Sequence, residues 1–116
     1  MKALIFAAGL IVTATALAET RVIPPPEAKD HVGEIVTVEG AVSEVHHAAF
    51  GKATFVDMGG HYPNNSFAGV LFSGDEPKFP DIDSLEGKTI DISGVVKLYQ
   101  GRPEIILNDP EQIKVK

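Results

Sequence analysis

Cysteine and tryptophan are both absent from the sequence. Without cysteine there is no disulfide framework, no lipid-modified cysteine behind a leader, and no thiolate set for a structural zinc. Basic residues are also few: ten lysines and arginines stand against sixteen aspartates and glutamates, for a formal charge of −6. Non-specific nucleic-acid binding is driven by cationic side chains that displace phosphate counterions, so the overall charge has the wrong sign for it. No glycine-rich phosphate loop and no Ser–His–Asp arrangement is legible, which leaves catalysis without support. The acids between Asp75 and Glu86 lack the D-x-D-x-D-G calcium pattern and read as a solvated loop.

The one long apolar run lies at the N-terminus. MKALIFAAGLIVTATALA places Lys2 before apolar Ala3 to Thr15 and closes on the small residues Ala16 to Ala18. This is the pattern of a secretory signal peptide over 1–18, too short for a stable membrane span; an uncleaved anchor is the alternative. The expected product is a periplasmic or secreted protein with no stable membrane span after cleavage. Its charge is −7, because Lys2 leaves with the leader and nine basic residues remain against sixteen acids. It is long enough for one domain with a modest core.

The rest reads as all-β. Residues 19–33 form a stiff Pro-rich lead, Ile23 to Pro26, and a short helical turn from Glu27 to His31 that stops at Gly33. The domain proper spans 34–116. Glu34 to Val45 alternates with Val36, Val38 and Val42 inward and Thr37, Glu39 and Ser43 outward. Further strands are expected over Ala53 to Met58, Phe67 to Phe72, Thr89 to Leu98 and Pro103 to Leu107, with a tight turn at Gln100-Gly101 and a short closing strand within Glu111 to Val115. The form G-x-x-[IV]-x-[IV]-x-G-x-V occurs twice, from Gly33 to Val42 and from Gly87 to Val96. A glycine inside a strand marks a bulge or a sharp bend. Two long strands bent at Gly40 and Gly94, with three shorter ones, predict a small closed five-stranded Greek-key barrel.

The residues His31-Val32-Gly33, Val36 to Gly40 and Phe55-Val56-Asp57-Met58 resemble the anticodon-binding OB domain of aspartyl-tRNA synthetases. Leu98 to Ile113, LYQGRPEIILNDPEQI, is similar to the end of the stand-alone OB domains of exported bacterial proteins. The resemblance implies an OB fold, with nucleic-acid binding the usual inference for the group. It also implies that Phe55 is the residue that stacks on a base and that Asp57 shares its face, leaving Thr54, Val56 and Met58 for the core. The family's arginine after this motif is Gly59 here, its arginine-rich stretch is replaced by Val45 to Ala49, and its base-contacting glutamine aligns with Gly69.

On an OB barrel the ligand crosses the second and third strands between two flanking loops. That predicts a binding face of Phe55, Asp57, Phe67 and Leu71. The first loop adds His46, His47, Phe50 and Lys52, and the second adds Tyr99 and Arg102. Aromatics with a few cations suit single-stranded DNA or RNA, because bases stack without regard to sequence. In the bland alternative, Phe55 and Phe67 pack as a secondary core beneath the loop from Gly60 to Ser66. That loop is turn chemistry first, and as a functional loop it would offer His61, Tyr62 and two amides. His46, His47 and His61 carry imidazoles that suit zinc, copper or nickel. Adjacent His46 and His47, however, point to opposite faces of a strand and rarely hold one ion together. No cysteine or H-x-x-E-H spacing supports a site, so no metal site is expected, and no cofactor. The expected function is a non-catalytic binding module for a single-stranded nucleic acid or oligonucleotide. The rival is an envelope-stress or interaction module that takes a protein or small ligand on the same face.

Overall fold

A computed structural model describes residues 20–116; the expected leader lies outside them. Among the described residues no helix is long and apolar enough to cross a membrane.

Eight strands form: β1 (Arg21–Ile23), β2 (Ile35–His47), β3 (Ala53–Met58), β4 (Phe67–Phe72), β5 (Thr89–Val95), β6 (Lys97–Tyr99), β7 (Arg102–Leu107) and β8 (Ile113–Val115). They pair in the order β6-β7-β4-β3-β2-β5-β8, with β1 alongside β2. The expected count of five is corrected to eight, and the hydrogen-bonded path is open rather than a closed ring. Three causes account for the count. The run from Thr89 to Leu98 breaks at Val96, whose N–H and carbonyl bond to Glu34 and Gly33 instead of a strand partner. Arg21–Ile23 pairs in parallel with Val36–Val38, so the lead is strand before it is Pro-rich turn. The closing segment Ile113–Val115 pairs with Ile90–Ile92 of β5.

Open as the path is, its ends are tied. β5 and β6 are consecutive in the chain, so one bent segment pairs with β2 in its first half and β7 in its second. Gln112 reinforces the seam: its amide nitrogen donates to the carbonyls of Ser93 on β5 and Ile106 on β7, at 3.0 and 2.9 Å. Its amide oxygen accepts from the backbone of Asn108 and Asp109, and Asp109 caps the turn Pro110–Gln112. Four backbone polar groups are satisfied by one side chain.

The core takes alternate residues of the strands. Val36, Val38, Val56, Met58, Phe67, Leu71, Ile90, Ile92, Val96, Ile105 and Leu107 are all buried in a single cluster. Thr37, expected outward, is buried, and its hydroxyl lies 2.7 Å from that of Ser93 in the neighbouring strand. The two strand glycines act differently from the expectation. The β2–β5 ladder runs through both Gly40 and Gly94 without a register shift. A Cβ at Gly40 would meet Pro25 at 2.7 Å, and one at Gly94 would meet Ile105 at 2.6 Å, so both permit close approach of another element rather than a bulge. The bulge sits instead at Ser43, between the pairs Val42–Met58 and Glu44–Asp57.

Candidate nucleic-acid interface

The bulge at Ser43 decides what the groove contains. Before it, even-numbered residues of β2 face the core, as Val36, Val38 and Val42 do. The extra residue reverses the parity, so Val45 packs against the core, and Glu44 and His46 turn to the other side. Two cross-strand rows result. One runs His46, Phe55, Val70, Ile106, and the next runs Glu44, Asp57, Ala68, Glu104. The second row is a line of carboxylates interrupted by one methyl group.

Above these rows lies a cavity of about 430 Å³, bordered among others by Phe55, Tyr62 and Tyr99, with Asp57, Asn65 and Glu104 among its polar groups. Its aromatic wall is continuous. The His46 ring stacks on Phe55 with centroids 4.9 Å apart and planes at 13°. Tyr62 leans on His46 at 5.1 Å, and the Arg102 guanidinium lies 4.7 Å from the Tyr62 ring centre, a cation–π contact. Arg102 also donates to the carbonyl of Pro63 at 2.6 Å and to Asn65 Oδ1 at 3.2 Å. The loop between β3 and β4 is therefore folded down on the groove from both ends.

Asp57 has no exposed surface. Its Oδ2 lies 2.7 Å from His46 Nδ1, and its Oδ1 accepts from Asn65 Nδ2 at 3.2 Å. Burial pushes its pKa up; the His46 hydrogen bond and charge oppose that, the neighbouring Glu44 adds to it, and Arg102 lowers it. Glu104 is pushed up to about 7, chiefly by burial, with Asp57 adding and Arg102 opposing. Both carboxyls are easier to keep protonated here than in water.

The expected binding residues separate into three groups. Phe55, Asp57, His46, Tyr62, Tyr99 and Arg102 border the cavity, although Asp57 is buried rather than open. Leu71, expected on the binding face, is corrected to the core, where it pairs with Thr54 and is fully buried. The side chain of Phe67 is likewise fully buried in the core, yet Phe67 still borders the cavity from below, and His47 borders it too. In β4 the groove-facing residues are Ala68 and Val70. Gly69 also faces inward, where a Cβ would meet Ile92 at 2.9 Å, so the glutamine position of the synthetase pattern does not open on the groove. Phe50, Lys52 and His61 do not border the cavity. Phe50 is 94% exposed at a loop tip with φ of +65°, and His61 lies 3.2 Å from Glu44. His47 points away from His46, as alternation requires, and bridges Thr54 and Asp83 at 2.8 Å each. The loop does cover Phe55, as the bland alternative expects, but through His46 and Tyr62.

Sequence reasoning missed Glu44, Ala68 and Glu104, while Asn65 is one of the two amides expected of the loop from Gly60 to Ser66. Glu104 was legible in principle, since Arg102, Glu104 and Ile106 alternate with the buried Ile105 and Leu107. Glu44 was not, because nothing in the residues around Ser43 announces a bulge.

The topology and groove can be set against known structures. An OBody, bound to hen egg-white lysozyme, superimposes with a TM-score of 0.60 at 20% identity, over 84% of this chain and 95% of its own. The asparaginyl-tRNA synthetase of Pyrococcus horikoshii gives 0.59 at 18% identity, over 80% of this chain and 22% of the synthetase. The chain is an OB-fold domain. A lipoprotein of Klebsiella pneumoniae described as nucleic-acid-binding is similar at 0.51 and 18% identity, over 88% of this chain and 96% of that one. This OB fold therefore spans about a fifth of the synthetase it matches, but nearly the whole of the other two. No family model and no curated protein matches the sequence.

Proposed function

We propose that this OB domain is an exported, non-catalytic module that binds a single-stranded nucleic acid or oligonucleotide across β3 and β4. The observation that carries the reading is the cavity walled by Phe55, Tyr62 and Tyr99 over a floor of Asp57, Asn65 and Glu104. Aromatic walls stack bases. The half-buried Glu104 carboxylate can accept a hydrogen bond from the exocyclic amino group of a base, as Glu does from cytosine, while Asp57 beneath it orients His46 and Asn65. This division of labour places acids under the bases and leaves phosphates in solvent, where the negative charge of the chain repels them least. Weak binding follows, little weakened by salt because no phosphate is neutralised, with preference for amino-bearing bases.

Anisotropy of labelled cytosine-rich, adenine-rich and thymine-rich oligonucleotides, titrated with the purified chain at rising salt, tests this. The reading expects saturable binding that changes little with salt, since no phosphate is neutralised, favours cytosine or adenine over thymine, and is lost in Phe55→Ala. Absence of binding at low salt, or binding untouched by Phe55→Ala, contradicts it.

A second reading has its own observation. Arg102 is spent on Tyr62, Asn65 and Pro63, and Phe50, Leu98 and Tyr99 are exposed. An apolar protein contact on this side suits that surface, and its affinity would change little with salt.

A further inference from the structure

At the β2 end of the carboxylate row three side chains converge, and a fourth, His61, lies against one of them. Ligand atoms of Glu44, His46 and Asp57 all lie within 4.8 Å of one another. His46 Nδ1 is 2.7 Å from Asp57 Oδ2, and His61 Nδ1 is 3.2 Å from Glu44 Oε1. We propose that Glu44, His46, Asp57 and His61 form a site for a divalent transition-metal cation of the zinc class. His46 and Asp57 also border the groove, so the ion would sit at its edge.

The donor set selects the ion. Two imidazoles and two carboxylates suit zinc, cobalt, nickel or copper, whereas calcium and magnesium take oxygen alone. Metal–ligand bonds of roughly 2.0–2.1 Å put neighbouring donors of a tetrahedral site about 3.3 Å apart. The imidazole–carboxylate separations of 2.7 and 3.2 Å reach that with small side-chain rotations. In both pairs the ion takes the place of the proton now shared between nitrogen and oxygen.

Independent features of the fold place these donors. The bulge at Ser43 sets Glu44 directly opposite Asp57; without it, Glu44 would face the core. Ser43 then accepts a hydrogen bond from the Gly60 backbone N–H at 3.1 Å, which holds the β3–β4 loop against β2 and brings its next residue, His61, to Glu44. Asn65 donates to the Asp57 oxygen that does not face His46, and Phe55 fixes the plane of the His46 ring. Ligand orientation by such outer partners is the usual support of a metal site. Asp57 is inside, and His61 is largely exposed, so an ion can enter from solvent.

Titration of the purified chain with Co²⁺ and Zn²⁺, followed by calorimetry and by the visible absorption of Co²⁺, tests the site. One ion per chain is expected, with the intense absorption of a four-coordinate centre. Glu44→Gln and His61→Ala, both at solvent-accessible positions, should each weaken binding by tenfold or more, and Asn65→Ala by about tenfold. His46→Ala should abolish it, while His47→Ala, on the opposite face, should leave it intact. Amide broadening by Co²⁺ should centre on Glu44, His46, Asp57 and His61. Binding that survives both Glu44→Gln and His61→Ala, that falls equally in His47→Ala, or that broadens amides elsewhere would overturn the proposal, as would no binding at all.

Discussion

The two faces of the β3–β4 ribbon are made by alternate residues of the same strands, yet they are built on opposite terms. On one face Val56, Met58, Phe67 and Leu71 interdigitate, and even Gly69 is required because a Cβ has nowhere to go. On the other, Phe55, Asp57 and Ala68 leave a cavity bounded by rings and carboxyls. Asp57 is as buried as Val56. The valine is held by apolar contact, and the aspartate by His46 and Asn65 at a cost in desolvation. Burial alone therefore does not distinguish core from site; the means of satisfying the buried atoms does.

The sharpest way to separate the faces is Phe67→Ala. Emptying a fully buried aromatic position should cost about 3–5 kcal/mol, measured by urea unfolding, and any ligand loss should track the unfolded fraction. Asp57→Ala acts on the groove face but leaves His46 and Asn65 without their acceptor. A loss of about 1–3 kcal/mol is expected, and a neutral result would mean that the buried carboxyl is not structural.

Glu104→Gln gives a pH-dependent contrast. The folded pKa of Glu104 is raised from 4.5 to about 7, so the fold favours its protonated form. That contribution is complete below the unfolded pKa and is lost as pH rises through about 7. Wild type should therefore lose stability relative to Glu104→Gln between pH 5 and 8, by roughly 1–2 kcal/mol. Parallel pH profiles would sink this. The smallest stability effect belongs to Phe55→Ala, whose ring is only partly buried. Its unfolding midpoint should shift by less than about 1 kcal/mol, while binding falls by roughly 1–3 kcal/mol per stacked base.

The strands from Ala53 to Met58 and from Phe67 to Phe72 were legible to the residue, because alternation and flanking turn residues mark them. So was the turn at Gln100 and Gly101, both at positive φ. The site was legible at Phe55 and Asp57, which follow local alternation, and at His46, Tyr62, Tyr99 and Arg102, which follow from where the loops flank an OB groove. Phe67 and Leu71 were misplaced because an apolar run such as FAGVLF has no polar residue to mark its outward face. The break at Val96 and the bulge at Ser43 depend on partners distant in the chain, and no local residue announces them. The bulge alone moves Glu44 and His46 to the groove.

The central claim is that the groove, rather than any other surface, takes a base-bearing strand. It is tested most directly by an NMR titration of the chain with mixed-sequence single-stranded DNA and RNA at low salt, beside Phe55→Ala. The account predicts amide shifts clustered on Phe55, Ala68, Tyr99 and Glu104 that vanish in the variant. A flat response at high ligand concentration, or shifts that persist in Phe55→Ala, would contradict it.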